Sequence, residues 1–283
     1  MNNITDFGKF WEESIDEDRY KIYDEELLRI KKYLQRRGYS IIHSDHEHLF
    51  SFSKQDIYDE VRCLGNDFIA HWNSANTYTL GTEEKIRDVI EAVRYVTVNN
   101  ISGAFVECGI YSGGIATLMA TLALRFDSMR DLYFYDTFEG MTMYNKDKDE
   151  KESTLKNRPV LKPAFEVGGL AKSEHILING LKNLSYPENK YNIIKGDVLK
   201  TLNDEKNLPE KIAILRLDTD LYDSTKKELE VLFPRLVKGG VLILDDYMSF
   251  PGQKKAVDEY FDKINFKPFF ARGDFESRVI IKN

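Results

Sequence analysis

The sequence contains only two cysteines, Cys63 and Cys108, among 283 residues. Two cysteines exclude a disulfide framework and a cysteine-rich zinc site. No stretch approaches the roughly 20 apolar residues that a membrane-spanning helix needs. The first twenty residues also lack the basic and then apolar regions of a signal peptide. We therefore expect a cytoplasmic protein without a membrane span.

Positive charge is also scarce, because 40 Lys and Arg residues face 47 Asp and Glu residues and leave a formal net charge of −7. A nucleic-acid-binding surface needs clustered Lys and Arg side chains that neutralise phosphates. The basic stretch RIKKYLQRR (29–37) is interpreted as a solvated helix face. Nucleic acid is therefore not expected as a partner.

Short apolar strands alternate with amphipathic helices from about residue 76 onward. The predicted strands are GAFVE, DLYFYD, YNIIKGD, IAILRLD and GGVLILDD, followed by a closing hairpin of two strands in the last twenty residues. This alternation predicts an α/β fold with a doubly wound, mostly parallel sheet of seven strands and an antiparallel C-terminal hairpin. Thr82 is predicted to cap the helix that precedes the first strand.

The chain divides into two predicted parts, a helical N-terminal extension (1–75) and the α/β domain (76–283). Helices are expected near residues 27–34 and 57–68. These helices could pair subunits or cover an active site, so a homo-oligomer is possible. The segment 141–190 is a long insertion between core strands, with a helix expected in its second half. Long insertions at this edge of a sheet are typical of lids, and a solvated loop is the alternative.

A glycine-bearing turn follows the first predicted strand, in the stretch GAFVECGIYSGG (103–114). Its glycines have the spacing G-x-x-x-G-G rather than the G-x-G-x-x-G of dinucleotide enzymes. The next strand ends in Asp136, where doubly wound folds place the acid that binds ribose hydroxyls. The two features together predict a ribose-bearing cofactor, whereas the glycines alone are equally consistent with a tight turn.

The end of the first strand indicates which cofactor. Glu107 precedes the turn, where it is unfavourable for a diphosphate but suits a ligand that carries an ammonium group. S-adenosylmethionine has such a group, and its carboxylate could meet N–H groups around Ser112 and Gly113. Asp197 at the end of the next strand could reach the adenine amino group, or could simply be solvated. The predicted cofactor-binding residues are Glu107, Gly109, Ser112, Gly113, Asp136, Gly196 and Asp197.

Two strand-like runs each end in acidic residues. Asp218 and Asp220 follow IAILRL, and Asp245 and Asp246 follow GGVLIL. We expect these carboxylates to converge, and like charges in one place need a cation, shared protons or full solvation. Oxygen ligands suit Mg²⁺, Ca²⁺ or Mn²⁺ rather than zinc. A divalent-cation site is therefore predicted, with helix capping and solvation as the alternative.

Taken together, VECGIYSGG, YDTFEGM, LRLDTDLYDST and GGVLILDDY followed by KKAVDEYF resemble the macrocin O-methyltransferase (TylF-like) family. The resemblance implies a class I methyltransferase (Rossmann-like) fold, S-adenosylmethionine, a divalent metal normally taken as Mg²⁺, and a sugar or glycan hydroxyl as acceptor. It also implies Asp218, Asp245 and Asp246 as metal ligands and Asp220 as the general base. The implied function is O-methylation of a glycan, a glycoside or a nucleotide-linked sugar.

Three alternative functions are considered. A catechol-type small-molecule O-methyltransferase also uses Mg²⁺, and tests of sugars against catechols would separate it. An NAD(P)-dependent sugar oxidoreductase would share the fold, but the sequence lacks its G-x-G-x-x-G motif, and such an enzyme assigns no role to the paired acids. A non-catalytic sugar- or nucleotide-binding module would bind ligand without turnover. The histidines of HSDHEHLF (43–50) are interpreted as surface or interface residues, and Cys108 as a packing residue.

Overall fold

The structure is a computed structural model that describes residues 79–126 and 129–283. The predicted extension, with its helices near 27–34 and 57–68, lies outside the described residues. Cys63 and the histidines of segment 43–50 lie outside them as well. Within the described ranges, none of the helices combines the length and the apolar character needed to cross a bilayer.

The described part of the chain forms one seven-stranded sheet in the order β3-β2-β1-β4-β5-β7-β6. The first five of these strands pair in parallel, whereas β7 is antiparallel to both β5 and β6. The predicted doubly wound sheet and its C-terminal hairpin are therefore confirmed. The strands are β1 (Ala104–Cys108), β2 (Leu132–Asp136), β3 (Tyr191–Lys195), β4 (Ile212–Leu217), β5 (Leu236–Leu244), β6 (Ala271–Arg272) and β7 (Arg278–Ile281).

Helices connect and flank these strands, and the first of them begins as predicted. The Thr82 side chain accepts a hydrogen bond from the Lys85 N–H (3.2 Å), which satisfies one of the free donors at the start of a helix. The α-helices are α1 (Glu83–Val98), α2 (Gly114–Arg125), α3 (Lys151–Asn157), α4 (Glu174–Asn183), α5 (Val198–Thr201), α6 (Tyr222–Val231) and α7 (Pro251–Lys263).

The central strands are buried along their whole length. Every residue of β1 and of β4 is buried, which explains why both read as continuous apolar runs rather than alternating ones. The chain proceeds from β1 to β2 and β3 on one side, and then continues with β4 and β5 on the other. In such sheets the crevice for a ligand opens at the carboxyl ends of the strands, where the strand order reverses.

The insertion 141–190 contains more regular structure than its charged composition suggests. Its second half holds α4, as predicted. Its first half holds α3 and a 3₁₀ helix, Pro159–Phe165, which the sequence patterns did not predict. Proline is accommodated at the first position of this 3₁₀ helix, where its missing N–H costs no hydrogen bond. Phe165 is buried and stacks on Phe250 with a ring-centre distance of 5.4 Å, which anchors the insertion to the core domain.

Candidate active site

A cavity of about 310 Å³ opens at the carboxyl ends of the parallel strands. Its position is the one expected for a ligand site at the reversal of strand order. Its size lies at the lower end of the range for small-molecule sites. The predicted site residues that line it are Glu107, Gly109, Asp136, Gly196, Asp197, Asp218, Asp220, Asp245 and Asp246.

Ser112 and Gly113 do not line this cavity, and their contact with a cofactor stays a prediction. Ser112 is buried, and Gly113 lies where α2 begins, with Leu177 packed against its Cα. The Gly113 N–H already donates to the Ile110 carbonyl at 2.9 Å. The glycine turn therefore faces the cavity through residues 109–111 instead.

Gly109 lies where the glycine turn contacts the turn after β4, residues 218–220, which we call the acidic turn. Its φ of +86° lies in the left-handed region, which disfavours residues with a side chain. A Cβ atom at this position would lie 2.0 Å from the Asp218 carbonyl oxygen. Only glycine permits this approach, so the two turns that line the cavity are in direct backbone contact.

The Asp136 carboxylate organises the glycine turn. One of its oxygens accepts hydrogen bonds from the backbone N–H groups of Ile110 (2.6 Å) and Tyr111 (3.1 Å), and the other accepts from the Phe138 N–H (2.6 Å). Asp136 therefore ties the turn after β1 to the end of β2. Sequence reasoning did not foresee these bonds, and the proposed contact of Asp136 with ribose stays a prediction.

The Asp197 carboxylate lies at the carboxyl end of β3 and caps α5. It accepts a hydrogen bond from the Leu199 N–H at 2.9 Å. The preceding Gly196 has a φ of +135°, and its N–H donates to the Asp136 carbonyl at 2.9 Å. Asp197 thus caps a helix in this structure. Its contact with adenine stays a prediction.

A buried arginine that the sequence analysis did not select connects the acidic side chains. Arg216 on β4 is 2% exposed. Its Nη1 lies 2.5 Å from Glu107 Oε1 and 2.9 Å from Asp218 Oδ2, while its Nη2 lies 2.5 Å from Asp245 Oδ1. A charged residue within an otherwise apolar strand was the available sequence signal, because a buried guanidinium needs carboxylate partners.

Lys85 is a second buried cation that the sequence analysis missed. It lies in the first turn of α1, and its Nζ is 2.7 Å from Asp245 Oδ2, 3.1 Å from Asp246 Oδ1 and 3.4 Å from Glu276 Oε2. Residues 85 and 89 are four positions apart and share one face of the helix, and Val89 is fully buried. A lysine on that apolar face was the signal for a buried ion pair.

Asp245 lines the cavity and contacts both of these buried cations. One of its oxygens pairs with Arg216 and the other with Lys85. Burial opposes ionisation of Asp245, but these two cations outweigh it and lower the carboxyl pKa to about 2. In this structure Asp245 is a counterion for two buried cations, and its role as a metal ligand stays a prediction.

A different set of three carboxylates converges in the cavity. Asp218, Asp220 and Asp246 each offer one oxygen, and these oxygens lie within 4.8 Å of one another. Asp220 adopts a left-handed conformation (φ +64°), and its buried Oδ1 has no hydrogen-bond partner within residues 79–126 and 129–283. Burial, together with neighbouring carboxylates such as Asp246, raises the pKa of Asp220 well above its ordinary value. Such a group gains stability from a cation or a proton.

The insertion forms one wall of the cavity, through residues 141–142, 161, 164 and 169–170. Hydrogen bonds connect the insertion at two points to the segments that follow β4 and β5, which carry the four aspartates. Asp149 accepts from the Tyr222 N–H at 2.7 Å, at the start of α6. Arg158 donates to the Ser249 hydroxyl and to Glu276, each at 2.9 Å. These hydrogen bonds hold the insertion beside the aspartates. Its role as a lid stays a prediction.

Comparison with known sequences decides the family. The sequence profile of the macrocin O-methyltransferase (TylF) family matches residues 16–274. The chain belongs to this family. The match is wider than the motifs quoted above, and it includes most of the predicted extension 1–75. The chain is accordingly an O-methyltransferase.

Individual relatives agree with this assignment. The chain is 31% identical over 226 residues to demethyldecarbamoylnovobiocin O-methyltransferase of Streptomyces niveus, covering 77% of this chain and 80% of the relative. It is 28% identical over 207 residues to 8-demethyl-8-(2,3-dimethoxy-alpha-L-rhamnosyl)-tetracenomycin-C 4'-O-methyltransferase of Streptomyces olivaceus, covering 71% and 72%.

Solved structures support the same fold. The O-methyltransferase NovP superposes with a TM-score of 0.62 at 28% identity, over 73% of this chain and 82% of NovP. Calicheamicin methyltransferase CalS11 superposes with a TM-score of 0.58 at 18% identity, over 88% and 96%. The fold expected from the family resemblance is therefore confirmed as that of a class I methyltransferase.

Proposed function

We propose that this member of the TylF family transfers a methyl group from S-adenosylmethionine to a sugar hydroxyl, with Mg²⁺ or a similar cation. The acceptor would be a glycan, a glycoside or a nucleotide-linked sugar. The convergence of Asp218, Asp220 and Asp246 at one end of a cavity that also reaches the glycine turn carries the proposal. The name of the Streptomyces olivaceus relative, which specifies a rhamnosyl group, favours a sugar acceptor.

The cofactor end of the cavity fits S-adenosylmethionine. Glu107 is buried, its Oε1 pairs with Arg216, and its Oε2 has no hydrogen-bond partner. An unpartnered buried acceptor is costly, and an ammonium group would satisfy it. Asp136 and Asp197 line the same cavity at the ends of β2 and β3, where ribose and adenine groups would meet them.

The acidic end fits a hard divalent cation, because its donors are carboxylate oxygens. We assign Asp218 and Asp246 as the residues that would hold it, and we keep Asp220 as the proton acceptor. A bound Mg²⁺ would lower the pKa of the acceptor hydroxyls and orient them. Asp245, which the family resemblance also implies as a ligand, pairs in this structure with Arg216 and Lys85, and its place in the metal set stays a prediction.

The proton of the acceptor hydroxyl passes to Asp220 Oδ1, the buried oxygen without a partner. As the hydroxyl oxygen forms its bond to the methyl carbon, the bond from that carbon to sulfur breaks and sulfur keeps the electron pair. General-base catalysis of this kind contributes about 10²- to 10⁴-fold. Placement of acceptor and cofactor in one cavity supplies much of the remaining acceleration.

The test is a screen of glycosides, nucleotide sugars and catechols with S-adenosylmethionine, each with Mg²⁺ and with chelator, read by mass for the gain of one methyl group. We expect a sugar acceptor to gain it only when Mg²⁺ is present. Methylation of catechols alone would favour the catechol-type alternative, and full turnover in chelator would remove the metal. Binding of cofactor without methylation of any acceptor would contradict the proposal.

Replacement of Asp136 by alanine should weaken cofactor binding. The substitution removes a carboxylate beside the proposed ribose site and frees the Ile110 and Tyr111 N–H groups of the glycine turn, together with that of Phe138. We expect the Kd for S-adenosylmethionine to rise at least about tenfold, the equivalent of one lost hydrogen bond to a charged group. Titration calorimetry measures this directly, and an unchanged Kd would remove Asp136 from the cofactor site.

Cofactor affinity should rise with pH between about 6 and 8. Burial raises the pKa of Glu107 to about 7, although Arg216 pulls it down. Because an ammonium group binds the ionised carboxylate, affinity should increase as pH rises through this pKa and then level off. Calorimetry at several pH values checks the slope. Glu107→Gln should bind more weakly at pH 8 and lose this part of the pH dependence, and an unaltered slope would contradict the contact.

A further inference from the structure

A buried carboxyl group that the proposed reaction does not use lies directly beneath the acidic turn. Glu228 on α6 is fully buried. Both of its carboxylate oxygens lie within hydrogen-bond distance of the Thr219 hydroxyl, at 3.0 and 3.1 Å. Thr219 is the residue between Asp218 and Asp220. Glu228 therefore contacts the acidic turn through Thr219, the residue between the two aspartates.

The turn that carries these acids is held in an uncommon conformation. Asp220 has a φ of +64°, and a residue with a side chain held in this region costs about 1–3 kcal/mol. The backbone alone anchors the turn at few points: the Asp218 N–H donates to the Cys108 carbonyl at 2.8 Å, and the Leu221 N–H donates to the Thr219 carbonyl at 2.6 Å. The Glu228–Thr219 hydrogen bond is an additional side-chain anchor at the centre of the turn.

The environment of Glu228 makes a purely space-filling role a poor explanation. The partners of its carboxyl group are the Thr219 hydroxyl and the Cys108 thiol. Neither is a cation, so burial raises the pKa of Glu228 to about 8 even though both partners lower it. A buried carboxyl in such surroundings costs stability that an apolar side chain of similar size would not.

We propose that Glu228 is a positioning residue that acts through the Thr219 hydroxyl to hold Asp218 and Asp220 in their converging arrangement. The proposal deepens the proposed function and rests on it for its kinetic consequences. Its structural claim, that Asp220 keeps its left-handed conformation because of this bond, is independent of which acceptor is methylated. Misplacement of a catalytic group by about 1 Å can cost about 10²-fold in rate.

The test combines a double-mutant cycle of Thr219→Val and Glu228→Met with two conservative single variants. Thr219→Val removes the donor and Glu228→Met removes the acceptor at similar volume. Glu228→Gln and Thr219→Ser each retain a bonding group. We expect Thr219→Val and Glu228→Met each to lower kcat about 10- to 100-fold, while the cofactor Kd changes by less than about threefold. The double variant should be no slower than the slower single variant, because both lose the same bond. The two conservative variants should restore most of the rate.

Thr225→Val is the matched control. Thr225 is a fully buried threonine on α6, and its hydroxyl has no hydrogen-bond partner among the described residues. The same change there should leave kcat within about threefold of wild type, because no hydrogen bond is lost. Additive losses in the cycle, or a Glu228→Met variant as fast as wild type, would overturn the proposal.

A crystal structure of Glu228→Met separates this proposal from the function on which it rests. We expect Asp220 to leave the left-handed region and its carboxylate to move away from those of Asp218 and Asp246. If the wild type methylates no acceptor, the proposed function fails, and this structure still decides the positioning role. An acidic turn superposable on that of the wild type would refute it.

Discussion

Replacement of Asp245 by alanine is expected to lower the free energy of unfolding by about 3–5 kcal/mol, the usual effect of removing one partner from a buried ion pair. Asp245 is 4% exposed, and its two oxygens pair with Arg216 and Lys85, which are themselves 2% and 6% exposed. Removing the carboxylate deprives two buried cations of a partner at once. For a domain of this size the loss corresponds to a fall in Tm of about 6–20 °C.

Thermal and urea unfolding of the purified variants measure this effect. Asp246→Ala is the matched control, because Asp246 is the neighbouring carboxylate but pairs only with Lys85, at 3.1 Å. We expect the control to lose about 1 kcal/mol or less, as for partly exposed pairs. The sequence alone assigns Asp245 to the metal, and in that case the two alanine variants would have similar stability. Equal stability of the two variants would therefore contradict the counterion role.

Replacement of Asp220 by asparagine is expected to have the opposite profile, with a large loss of turnover and no loss of stability. The amide cannot accept the hydroxyl proton, so kcat should fall about 10²- to 10⁴-fold. Burial and the neighbouring carboxylates raise the pKa of Asp220, so removing its charge relieves repulsion within the cluster. Asparagine also tolerates the left-handed conformation that Asp220 adopts.

Single-turnover kinetics and thermal unfolding of Asp220→Asn test both parts of this prediction. Asp223→Asn provides the comparison, because Asp223 is a nearby partly buried aspartate on α6 that accepts a hydrogen bond from the Asn145 side chain. We expect the comparison variant to turn over at nearly the wild-type rate. Turnover of Asp220→Asn within a few fold of wild type would show that another group takes the proton.

The positions of the strands, and therefore of the cavity, followed from the sequence. Five apolar runs of strand length, separated by helical patterns, predicted the parallel sheet that the structure contains. Because parallel strands end at one edge, residues at their ends could be expected to meet, as Asp218 and Asp246 do. The Thr82 cap was predictable for a similar reason, since it depends on residues only three positions apart.

The cation partners of the acids depend on contacts between distant parts of the chain. Lys85 and Asp245 are 160 residues apart, and Arg216 and Glu107 are 109 residues apart. No local pattern encodes such a pairing, because it arises only when α1, β1 and β4 pack together. This is why Asp245 was predicted as a metal ligand and the two buried cations were not selected.

The sequence by itself determined the succession of core strands along the chain, the glycine turn and the family, because these depend on short-range periodicity and on contiguous motifs. The tertiary structure decided which side chains contact each of the four aspartates. Two of the cations that could satisfy these acids belong to the protein itself, and burial beside them makes Asp245 an internal counterion. The electrostatic energy of a carboxylate depends on distances in space, and these distances exist only in the folded chain.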